Sequence, residues 1–139
     1  MATTRTAHTD WQGSLTEGAG RTTLDSSGLG TFDVTWASRS EEANGKTSPE
    51  ELLAAAHASC FSMAFSSRLA KAGATEISVV TSAEVDFQPG EGITEIRLHV
   101  TGQGSGVDDA AFRELAEDAR ANCPVSQALR AVPITLTVG

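Results

Sequence analysis

The chain has no tyrosine, and aromatic residues make up only 5% of its 139 positions, so a core must be assembled mainly from Ala, Val, Leu and Ile. A lean core of this size gains from association with a second chain. No run of about 18 apolar residues occurs, and no transmembrane helix is expected. The opening stretch MATTRTAHTDWQGS is polar and lacks the apolar segment of a secretory signal. Basic residues are scarce, 10 against 18 acids for a net charge of −8, and they form no cluster. Nucleic acid and anionic membrane surfaces are therefore poor partners. The chain also lacks a phosphate-binding G-x-x-x-x-G-K-S/T loop, a G-x-G-x-x-G fingerprint, a G-x-S-x-G elbow and a C-x-x-C pair. Cys60, Cys123, His57 and His99 do not have the spacing of a metal site, so no metal or other cofactor is expected.

What is present reads as one domain over residues 1–139, with the cytoplasm as the expected location. Short strands are expected near Trp11–Leu15, Arg21–Leu24 and Thr31–Trp36, the latter two flanking an Asp25–Gly28 turn. The polar stretch Ser38–Thr47 reads as a loop. A helix then starts at Ser48, with Pro49 in its first position and Glu51 in capping-box register, and runs to about Ala72 before Gly73. From Leu52 to Ala64 it is apolar over most of its circumference, the mark of a buried helix. At about 35 Å long it is more than a domain this small can wrap alone. A long hairpin follows: Ile77–Phe87 alternates apolar with polar residues, Gln88–Gly92 turns, and Thr94, Ile96, Leu98 and Val100 share a face. After a Gly102–Gly106 loop, Asp108 caps a second helix with the stripe Phe112, Leu115, Ala116 and Ala119. Asn122-Cys123-Pro124 breaks that helix. A short helix over Val125–Arg130 and a strand over Ile134–Val138 complete an α+β fold with an antiparallel sheet.

The two cysteines carry most of the chemical interest. A chain expected in a reducing compartment has little use for a static disulfide, so a catalytic or redox-sensing pair is the better reading. Cys60 lies mid-way along the long helix, where a thiol taken alone reads as core. Cys123 precedes Pro124 at or beside a helix start, where unpaired N–H groups favour a thiolate. A thiol peroxidase needs a thiolate nucleophile, a cation to hold it, and a second thiol to trap the sulfenic acid. Arg39, in the polar loop, is the candidate cation, with Arg21 as the alternative. Glu50 could clamp such an arginine in a bidentate pair. It lies ten residues before Cys60, about 15 Å of helical rise, so it cannot reach its own Cys60 on a straight helix. His57 shares a face with Cys60 and could line a pocket there.

With these residues in view, the chain resembles the OsmC/Ohr family of hydroperoxide reductases, in its osmotically inducible OsmC branch. Thr47–Ala64 (TSPEELLAAAHASCFSMA) is similar to the family's first-cysteine helix, and Asn122–Arg130 (NCPVSQALR) to its second-cysteine motif. The resemblance implies an intertwined homodimer with a long buried central helix and active sites at the subunit interface. It assigns Cys60 as the peroxidatic thiol, Cys123 as the resolving thiol, and Arg39 and Glu50 as the supporting pair. The Ohr branch instead carries its arginine in the first hairpin, where Arg21 lies. The implied substrate is an organic hydroperoxide, reduced to an alcohol through a Cys60 sulfenic acid and a Cys60–Cys123 disulfide. An external dithiol, for which lipoyl groups serve in the family, would complete the cycle. The competing reading is a non-enzymatic dimeric stress protein with two structural thiols.

Overall fold

The computed structural model describes residues 1–139, in two compact units, residues 1–49 and 50–139. The first is a three-stranded antiparallel meander of β1 (Ala7–Gln12), β2 (Ala19–Leu24) and β3 (Thr31–Val34), followed by the short helix α1 (Trp36–Ser40). Trp11 faces Gly20 across the β1–β2 pair. A Cβ on residue 20 would come within 2.6 Å of the indole, so only glycine permits this approach. β1 starts four residues earlier than the expected Trp11–Leu15 strand. The loop expected from Ser38 also begins later, because α1 occupies Trp36–Ser40. Its start is held by a reciprocal cap: Thr35 Oγ1 accepts from the Ser38 N–H (3.1 Å), and Ser38 Oγ accepts from the Thr35 N–H (3.0 Å).

The second unit contains the long helix α2 (Pro49–Lys71), the hairpin β4 (Ile77–Gln88) and β5 (Gly92–Gly104), helices α3 (Asp109–Asn122) and α4 (Pro124–Ala128), and strand β6 (Ile134–Val138). β5 extends to Gly104, into the stretch expected as a loop. β4 and β5 pair antiparallel, with an irregularity at Asp86/Phe87. β6 departs from the expected all-antiparallel sheet by pairing parallel to β5. The strand registers stack one apolar layer in rows: Val85–Ile96–Ile134, Ala83–Leu98–Leu136 and Thr81–Val100–Val138. Period-two alternation in each strand places these residues on one face. On the other face, Arg97 bonds the carboxylates of Glu84, Asp86 and Glu95.

The apolar layer meets the helices in one core. Phe61, Phe65 and Leu69 of α2 pack in a cluster with Leu98 and Val100 of β5 and with Phe112, Ala116 and Ala119 of α3. The α2 residues recur every four positions, one stripe of a helix. Full burial of each large side chain stabilises the fold by about 1.5–3 kcal/mol. Ser62 Oγ donates to Thr81 Oγ1 of β4 at 2.7 Å, fixing the helix against the sheet. α3 begins as expected, with Asp108 Oδ1 accepting from the Ala111 N–H at 2.8 Å. α2 is not enclosed on all sides by its own chain: Ala55, Ala56, Ser59 and Met63 are exposed, Met63 by 72%.

Candidate active site

The α3–α4 junction brings the two cysteines together. Cys123 is both the C-cap of α3 and the N-cap of α4, with extended backbone (φ −64°, ψ 144°), the conformation that a following proline imposes. Pro124 starts α4, which covers Pro124–Ala128 instead of the expected Val125–Arg130. An N-cap side chain accepts from N–H groups of the first turn. Here the cap is a sulfur: the Ser126 N–H donates to Cys123 Sγ at 3.4 Å. The Val125 backbone N–H and the Cys123 side chain both act on the Cys60 thiol, so the two thiols are neighbours. Both cysteines are free, Cys123 fully buried and Cys60 half-buried.

Three influences act on the Cys60 thiol. Burial pushes its pKa up and is the largest; the Val125 N–H pulls it down; the adjacent Cys123 pushes it up again. The net displacement is upward, away from the thiolate, which is the nucleophilic form of a cysteine. Chemistry at neutral pH thus calls for a positive charge brought to this sulfur.

Beside the thiols lies a buried polar pair. His57, one turn before Cys60 on α2, has Nε2 2.7 Å from Ser126 Oγ, and Ser126 Oγ stands 3.1 Å from Cys123 Sγ. Burial holds the imidazole below its ordinary pKa. His57 is a candidate from sequence, whereas Ser126 stands there only within the Asn122–Arg130 motif. The available signal was its position three residues after Cys123, the N-cap-to-N3 spacing of a capped helix start.

The other expected site residues are placed as follows. Glu50 is in the first turn of α2 and is 6% exposed. Because α2 runs unbroken from Pro49 to Lys71, about 15 Å of rise separates Glu50 from Cys60 of the same chain. Arg39 is half-buried in the last turn of α1. Arg21 is exposed on β2 and lies 3.6 Å from Asp33. No group of three or more His, Cys, Asp or Glu side chains is gathered to hold a metal ion.

The fold and this junction define a small α+β protein with a paired, unbridged dithiol. Residues 41–137 match the family described as OsmC-like protein. Peroxiredoxin OsmC of Escherichia coli (strain K12) is 40% identical over 124 residues, covering 87% of this chain and 86% of that protein. The same figures hold for peroxiredoxin OsmC of Shigella flexneri. Among solved structures, the organic hydroperoxide resistance protein OhrB of Bacillus subtilis is similar with a TM-score of 0.74 at 27% identity, over 96% of this chain and 98% of that one. An organic hydroperoxide resistance protein OsmC of Legionella pneumophila gives 0.64 at 26% identity, over 96% of each chain. The chain belongs to the OsmC family.

Proposed function

We propose that residues 1–139 act as one OsmC-like domain that reduces organic hydroperoxides through Cys60 and Cys123. The chain is a cysteine-dependent peroxidase, and the observation that supports the mechanism is that two free thiols from distant parts of the sequence lie near each other. Cys60 thiolate attacks the distal peroxide oxygen; the O–O bond breaks, and the alkoxide leaves as an alcohol after taking a proton. Cys60 is then a sulfenic acid. Cys123 attacks its sulfur, the S–O bond breaks, and a disulfide and water form. An external dithiol, of which a lipoyl group is one kind, exchanges with this disulfide and restores both thiols. Phe61 and Ala64 beside the site favour an alkyl peroxide over hydrogen peroxide.

The cation that Cys60 requires is Arg39, clamped by Glu50. Since Glu50 stands a long way along α2 from its own Cys60, the pair comes from a second copy in an intertwined homodimer. The exposed α2 face around Ala55, Ala56 and Met63 supports such a partner. The net charge of −8 favours neither nucleic acid nor an anionic membrane as partner, and two free thiols suit the cytoplasm. No helix is long and apolar enough to cross a membrane.

The test is peroxidase turnover with a dithiol reductant. Cys60→Ser should abolish it; undiminished turnover would remove Cys60 as the nucleophile. Arg39→Ala should cost on the order of 10²–10³ in rate, as loss of a charge-stabilising donor does. The same loss in Arg21→Ala with none in Arg39→Ala would transfer the role to Arg21.

A further inference from the structure

The cycle above gives no role to His57 and Ser126, although both are buried, at 0% and 4% exposure. Polar groups in a core are tolerated when they are paired. This pair is satisfied in one direction only: Ser126 Oγ joins His57 Nε2 (2.7 Å) to Cys123 Sγ (3.1 Å), while His57 Nδ1 has no partner in the chain. A histidine held purely for structure would be expected to use both ring nitrogens. Here the one hydrogen bond that the ring makes belongs to a line that ends at a sulfur.

The geometry points to a proton relay in which Ser126 and His57 withdraw the Cys123 proton as that sulfur attacks the sulfenic acid on Cys60. This rests on the reading of Cys123 as the resolving thiol. Before the step, His57 carries its hydrogen on Nδ1 and Nε2 accepts from Ser126. The Cys123 proton passes to Ser126 Oγ while the Ser126 proton passes to Nε2. The S–S bond forms, the S–O bond of the sulfenic acid breaks, and hydroxide leaves. The extra proton of the imidazolium neutralises that hydroxide, so the products are the disulfide and water, with His57 neutral again. During reduction the same line runs backwards and delivers a proton to the departing Cys123 sulfur. A buried imidazole with a depressed pKa suits this task, because it passes the proton on instead of keeping it.

The surroundings leave the relay as the ionisable system at this sulfur. From α2, His57 is linked to Cys123 through Ser126, and Cys60 is a neighbour of Cys123. The neighbouring charges of α3 are engaged elsewhere, Arg120 with Glu117 and Asp118 with Arg68. The sheet and α2 contribute Leu98, Val100, Phe61 and Phe65 to the cluster around it.

Without the relay the attacking thiol must shed its proton unaided, so condensation slows near neutral pH and the deficit shrinks as pH rises. The experiment is a stopped-flow single turnover with an organic hydroperoxide, following Cys60 oxidation and then disulfide formation from pH 6 to 9. Ser126→Ala breaks the line; His57→Gln keeps a hydrogen bond to Ser126 but cannot carry the proton; Ser126→Thr restores a hydroxyl. Relative to its own first phase, the second phase of Ser126→Ala and His57→Gln should be slow by about ten-fold or more at pH 7. It should rise more steeply with pH than wild type, and Ser126→Thr should recover rate at pH 7. Second phases as fast as wild type in both variants would overturn the relay, as would a slowing that is constant across pH. Wild-type protein that forms no Cys60–Cys123 disulfide would overturn the resolving role and the relay with it. A normal wild-type disulfide with unaffected variants would overturn the relay alone.

Discussion

Phe65 is the side chain whose removal should most weaken the helix that carries Cys60. It is fully buried, its ring lies 4.8 Å edge-on (66°) to Phe112 of α3, and it sits 5.6 Å from Phe61. Truncation to alanine forfeits the apolar burial, leaves a cavity between α2 and α3, and removes an aromatic pair worth about 0.5–1.5 kcal/mol by itself. Together these place Phe65→Ala at about 3–5 kcal/mol. With an unfolding entropy of about 2.1 cal/mol/K per residue, a loss of about 4 kcal/mol lowers Tm by roughly 14 °C for a chain of this length. Met63, two residues earlier and 72% exposed, is the internal control. Met63→Ala should cost under about 1 kcal/mol in the isolated chain, and more where a second copy covers that face. Differential scanning calorimetry at two protein concentrations separates the cases. A Tm drop below about 4 °C in Phe65→Ala, or an equal drop in the two variants at low concentration, would refute the core described here.

Asp108→Ala removes the side chain that caps α3 and should cost about 1 kcal/mol by urea denaturation, with Asp108→Asn close to wild type. The buried imidazole of His57 makes stability depend on pH with a definite sign. Its folded pKa is depressed, so the unfolded chain takes up a proton that the folded chain refuses. Stability is full above about pH 6.5, declines as pH falls below that, and levels off once the folded ring titrates as well. His57→Gln should flatten that decline in urea midpoints measured between pH 7 and 5, and an unchanged slope would contradict the burial of the ring.

The sequence was most legible where a single local rule dominates. Alternation in Ile77–Phe87 and Ile96–Val100 specified the β4–β5 hairpin, and Pro49 with Gly73 bracketed α2. β6 shows what alternation cannot carry: Ile134, Leu136 and Val138 present the same face whether the strand runs parallel or antiparallel, and only the path through α3 and α4 makes it parallel to β5. α1 was hidden because its five residues are too few to carry an apolar stripe and its start depends on a Thr35–Ser38 exchange, not on an acidic third residue. At the site, Cys60 and Cys123 stood out as the only cysteines and as parts of two family motifs. Ser126 did not stand out, because its significance lies in His57, 69 residues away in sequence and 2.7 Å away in space. Glu50 illustrates the reverse case: a plain count of helical rise separated it from its own Cys60, and the unbroken α2 keeps that separation.

The central claim is that these two thiols form one redox centre. One equivalent of an organic hydroperoxide should convert both thiols of each chain into a single Cys60–Cys123 link, found by peptide mapping without reductant and reversed by a dithiol. Peroxide consumption that leaves Cys123 as a free thiol, with Cys60 as sulfinic acid or bridged to another chain, would contradict it.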